Sequence, residues 1–224
     1  MTRRVSPKRL APLAGIAFAV STAAGFLLMG KNPEPDASLS AVTGYWGPHH
    51  ASISSAAIVL AYGGVLFALF GVAIWSRIRR SSVHPLVGAS ALLGTAVATV
   101  GLLLSAMTYL VLGDIAAKPT TLPATVQTLH VLGSEPSYPI AGGLELLLLA
   151  VAVSAIATRS FPRWLGWSAL ALGLLQLTTI GFTAFLVFLL WSAAASVVMV
   201  VQPEAAVPQG APSATTTGSL AGSC

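Results

Sequence analysis

The sequence predicts an all-α fold: a polytopic transmembrane helix bundle of six spans, with five as the alternative count and the N-terminus in the cytoplasm. Three observations predict it. Of 224 residues, 55% are hydrophobic and only 8% charged, whereas soluble domains carry roughly a quarter charged residues. The apolar residues gather into runs near or above the roughly 20 that a helix needs to cross about 30 Å of hydrocarbon. Finally, nine of the eleven Lys and Arg residues lie in three patches at alternate gaps between runs. These are Arg3, Arg4, Lys8 and Arg9, then Arg77, Arg79 and Arg80, then Arg159 and Arg163. Lys31 and Lys118 sit in the other gaps, beside Glu34, Asp36, Asp114 and Glu135. Basic and acidic gaps in alternation orient a chain through a bilayer, basic side inward.

Taken in order, residues 1–10 form a basic cytoplasmic N-terminus. Run one, Ala11–Met29, reads as an uncleaved first helix, because Gly30-Lys31-Asn32-Pro33 makes a poor cleavage site. Run two is Ile53–Trp75, run three Leu86–Leu112 and run four Pro139–Ala157. The last stretch, Trp164–Val201, would reach about 57 Å as one helix. Thr178-Thr179-Ile180-Gly181 divides it into spans of about 164–179 and 182–201. Residues 11–201 are thus the bundle. The segment 202–224, rich in Pro, Ala, Ser, Thr and Gly, reads as a disordered tail.

Helices in lipid associate through close backbone approach. Gly94, Ala98, Gly101 and Ser105 are spaced four, three and four, which is one helix face. That stripe predicts packing inside the bundle, with a homodimer face as the sharper alternative. Run one carries a shorter version in Ala17, Ser21 and Gly25. Trp75, Trp164 and Trp167 flank the basic ends, and Tyr45, Trp46 and Tyr138 the outer ends, as interfacial aromatics do. Two outer segments are amphipathic: one capped by Asp36, with Leu39, Val42 and Trp46 on one side, and one with Leu122, Val126 and Leu129. Both are expected to lie on the outer membrane surface.

Two segments carry a resemblance. One is Pro35-Asp36-Ala37-Ser38 leading to Tyr45-Trp46 and His49, ahead of a span ending in Arg77-Ile78-Arg79-Arg80. The other is Phe161-Pro162-Arg163-Trp164-Leu165-Gly166-Trp167. Together they resemble uncharacterised multi-spanning integral membrane proteins common in actinobacteria, over about residues 10 to 200. The resemblance implies a helical bundle in a bacterial plasma membrane. It brings no catalytic residues, since that family's function is unknown.

Chemistry concentrates at one place. Glu145 is the one acidic residue inside a span, about 9 Å below the outer end of run four. An intramembrane carboxylate marks a functional-site hypothesis. With Gln176, Thr108 and Tyr109 it outlines a candidate polar site in the outer half of the bundle. That site is either a shallow pocket for a proton, cation or polar ligand, or a set of interhelical bonds with no ligand. His49, His50, His84 and His130 lie outside the spans, which argues against bis-histidine haem. The outer three have metal-ligand chemistry without metal-ligand spacing, so no metal or other cofactor is expected. Walker A, HExxH and GxSxG patterns are absent. The single cysteine, Cys224, permits no intramolecular disulfide.

The leading expectation is therefore a non-enzymatic accessory, scaffold or regulatory membrane component. The alternatives are a small-solute or ion-coupled carrier or ligand sensor at Glu145, and an enzyme acting at the outer face. The expected partners are membrane lipids and other membrane proteins or a second copy of the chain, with no nucleic acid.

Overall fold

The structure, a computed structural model, describes residues 11–81, 83–118, 120–133, 137–176, 178 and 181–202. Among them every regular element is helical. A 3-10 turn, Ala11–Leu13, leads into α1, Ala14–Met29. There follow α2, Leu39–Trp46; α3, His50–Arg79; α4, Pro85–Ala116; α5, Pro123–Leu132; α6, Ser137–Thr158; α7, Arg163–Gln176; and α8, Gly181–Val201. The basic segment 1–10, Glu135 and the tail beyond Gln202 lie outside the described residues.

Local chemistry sets several boundaries. Pro85 opens α4, and His84 caps it by accepting the Leu86 N–H at Nδ1, 3.3 Å away. A proline at the first helical position loses no hydrogen bond. Ser38 caps α2, accepting the Ala41 N–H at 3.4 Å. Asp36 was the expected cap, but Ser38 is the residue whose extended backbone aims its hydroxyl at the first turn. Gly30 ends α1 with φ 71°, a conformation that costs glycine little.

Among the described residues, helical stretches ending at Arg79, Ala116, Thr158 and Val201 are the four long and apolar enough to cross a membrane. α1 has 16 residues and α7 has 14, so they reach only about 24 and 21 Å. The expected fifth span, about 164–179, is helical over Arg163–Gln176, and Leu177, Thr179 and Ile180 lie outside the described residues.

Packing arranges α1, α3, α4, α6, α7 and α8 in a closed ring, each against the next and α8 against α1. Successive members run antiparallel. Gly64 of α3 faces Leu102 and Leu103 of α4, while Gly113, further along α4, faces Ser54, earlier in α3. Phe18 of α1 meets Phe188 of α8, and Phe26 meets Phe185. The centre is aromatic: Phe18, Phe67 and Phe188 form a triangle with ring centroids 5.1, 6.0 and 6.2 Å apart. All three are fully buried.

The small-residue stripe lies inside this ring. A Cβ on Gly94 would stand 2.6 Å from the Gly143 carbonyl oxygen and 2.7 Å from the Leu147 amide. One on Gly143 would collide with the Ala98 amide. Only paired glycines let α4 and α6 approach so closely. Gly94, Ala98 and Gly101 are buried and Ser105 is half-buried. Because α6 of the same chain occupies the face, it is not a free dimer face. In run one, Ser21 and Gly25 face α3, near Gly63 and Leu60 respectively, while Ala17 is exposed.

Candidate functional site

The four residues singled out as a polar site divide between two places. Ala155 and Leu148 of α6 meet Gly166 and Gly173 of α7. Each step along α7 is thus matched by a step back along α6, which sets Gln176 level with Glu145. Glu145 continues the α6 stripe Ala155, Ala152, Leu148 at spacings of three, four and three. It sits at the rim of that seam, half-buried, and makes no hydrogen bond or ion pair with a described residue. Gln176 points further in: it is 8% exposed, and its Nε2 is buried without a hydrogen-bond partner. The helix register therefore brings the two level, and no hydrogen bond joins them.

Thr108 and Tyr109 are elsewhere. Gly94 packs between Gly143 and Leu147, so Glu145 is level with Gly94 in α4. Tyr109 lies about fifteen residues further along α4, or about 22 Å. Thr108 donates its hydroxyl back to the Leu104 carbonyl at 2.9 Å. Such i−4 bonds satisfy a hydroxyl within its own helix. A single pocket combining Glu145 with Thr108 and Tyr109 is not formed. Sequence alone had located all four in the outer halves of spans, but α4 extends well past the level at which α6 begins.

Tyr109 belongs to a second assembly, a cap over the start of α3 and the end of α4. The helices α2 and α5 pack on each other, and Val42, Trp46, Ile53, Leu112 and Val126 form their shared core. Trp46 is 1% exposed. Its ring stacks on Tyr109 at 6.0 Å and lies 5.9 Å from His130. Trp46 was expected as an interfacial anchor; it is a core residue of the cap. Hydrogen bonds tie the connecting chain down. His130 Nε2 donates to the Glu34 carbonyl at 3.0 Å, and Gln127 Nε2 to that of Ala37 at 3.2 Å. The Tyr45 hydroxyl donates to Asn32 Oδ1 at 2.7 Å and also touches the Met29 carbonyl. Two buried polar atoms lack partners here, Trp46 Nε1 and Gln127 Oε1.

The outer histidines do not converge. His49 Nδ1 donates to Tyr45 O at 2.8 Å, and His50 Nδ1 to Gly47 O at 3.0 Å. His130 Nε2 is likewise engaged by a backbone carbonyl, that of Glu34, so the three rings point to separate places. Among the described residues, no group of three His, Cys, Asp or Glu side chains is placed to hold a metal ion. The site that sequence reasoning missed is the cap itself. Its signal was two amphipathic segments in neighbouring outer gaps, each too short to be stable alone.

The chain matches no protein-family model, no curated protein and no solved structure.

Proposed function

We propose that this chain is a six-span membrane component of the plasma membrane with a non-enzymatic accessory, scaffold or regulatory role, its cap on the outer side. The observation that carries this reading is the aromatic triangle of Phe18, Phe67 and Phe188. Three fully buried rings fill the middle of the ring of helices, where a carrier needs a polar path. The residues with chemistry are dispersed, and the ordered surface is an extramembrane cap suited to contact with other membrane proteins. The antiparallel ring supports six spans, because α1 and α7 each lie between two helices that both run the other way.

The test is purification of the full chain in mild detergent, followed by mass spectrometry of what accompanies it. A stoichiometric membrane-protein partner supports the reading. Saturable solute or proton flux by the pure chain in vesicles, lost in Glu145→Gln, opposes it. That outcome would favour the second reading, a carrier or sensor, for which the specific support is the unpartnered Gln176 Nε2 level with Glu145.

A further inference from the structure

At the end of the ring opposite the cap, the α6–α7 corner carries an open depression of about 380 Å³ lined by Arg159, Phe161, Pro162, Arg163 and Gln202. We propose that it binds the phosphate of an anionic membrane lipid. Arg159 and Arg163 are both exposed at its mouth, and neither has an acidic partner among the described residues. A third guanidinium builds the wall. Arg77 Nε donates to the Ser160 carbonyl at 2.8 Å, and Nη1 to that of Gln202 at 3.2 Å. The same group lies 4.9 Å from the Phe161 ring centroid. Arg77 thereby fixes the corner to α3 and α8 and leaves the other two arginines for a ligand.

Further features agree. Arg159 holds φ 55°, the left-handed conformation usually left to glycine. An arginine there turns the chain and keeps a cation at the depression. α7 opens at Arg163 beside it, and a helix N-terminus favours an anion. Trp164 and Trp167 are 54% and 59% exposed on α7. Exposed tryptophans belong at headgroup depth, so the anion that this corner meets is a lipid headgroup.

The test uses the full chain in phosphatidylcholine nanodiscs containing brominated phosphatidylglycerol, with tryptophan quenching as readout. The reference is brominated phosphatidylcholine at the same fraction. The expected result is preferential quenching by phosphatidylglycerol. That preference should fall about fivefold for each of Arg159→Gln and Arg163→Gln, with the melting midpoint unchanged in phosphatidylcholine. The control Arg79→Gln/Arg80→Gln removes two cations from the same end but not from the depression, and should keep most of the preference. An equal loss in that control would reduce the effect to diffuse charge and overturn the site. Displacement of phosphatidylglycerol by inorganic phosphate, at matched ionic strength against chloride, would overturn the lipid assignment. Glu204 follows two residues after Gln202. A preference that appears only in Glu204→Gln would show that this chain's own carboxylate occupies the depression, which also overturns the proposal. Should Arg159→Gln not fold, Arg163→Gln alone, at an exposed first helical position, gives the same decision.

Discussion

Gly143 and Gly142 stand side by side in α6 and have opposite surroundings. A Cβ on Gly143 runs into the backbone of α4, while one on Gly142 meets nothing within 4 Å. Gly143→Ala should therefore lower stability in detergent by about 1–3 kcal/mol, the usual cost of overpacking. Gly142→Ala should leave the melting curve in place, since α6 gains a better helix former on an open face. Equal curves for the two variants would mean that α4 and α6 do not pack as described. Gln176 gives the converse case. Its Nε2 is buried without a partner, so Gln176→Leu should be neutral or stabilising. A loss in that variant would reveal a hidden bond, for which Glu145 is the level neighbour. By the same argument Glu145→Leu leaves no described partner unsatisfied. The face of α4 was legible because small residues recurred at helical spacing. Which helix filled it was not, because spacing on one helix does not specify the shape of its partner.

At the scale of elements, the cap and the ring are held by different forces. The ring packs in lipid, where van der Waals fit decides. The cap, proposed to lie outside the membrane, depends on buried apolar area. Trp46→Ala should cost about 3–5 kcal/mol locally, opening α2 and α5 to limited proteolysis while the ring keeps its helicity. Survival of a protease-resistant cap in that variant would show that Trp46 is not its centre. The cap also has a pH limit. Burial first, and the charge of Tyr109 second, raise the Tyr45 hydroxyl above its usual 10.0. The folded cap holds this proton more tightly than the unfolded chain does. The stabilisation is therefore intact below the ordinary tyrosine range and is lost as pH rises through the raised value. Tyr45→Phe, which cannot ionise, should resist alkaline opening of the cap, as followed by proteolysis. Identical alkaline limits for the variant and the parent would exclude Tyr45 as the cause. The sequence marked the two amphipathic segments but placed them flat on the membrane. It also ended runs two and three where hydropathy falls, at Ile53 and Leu112. The helices continue to His50 and Ala116 because α2 and α5 cover their polar extensions.

Over the whole molecule, charge and architecture agree. Among the described residues every arginine lies at one end of the ring: Arg77, Arg79, Arg80, Arg159 and Arg163. Glu34, Asp36 and Asp114 lie at the other, with the cap. This segregation was legible from the first reading, because topology signals are written in composition. The most direct test of the account is thiol accessibility in intact cells, with Cys224 first replaced by serine. Ser40→Cys lies exposed on α2, and Gln202→Cys is exposed just past α8. A membrane-impermeant maleimide should label Ser40→Cys in intact cells and Gln202→Cys only after permeabilisation. Labelling of Gln202→Cys in intact cells would contradict the six-span ring, and protection of Ser40→Cys would contradict the outward cap.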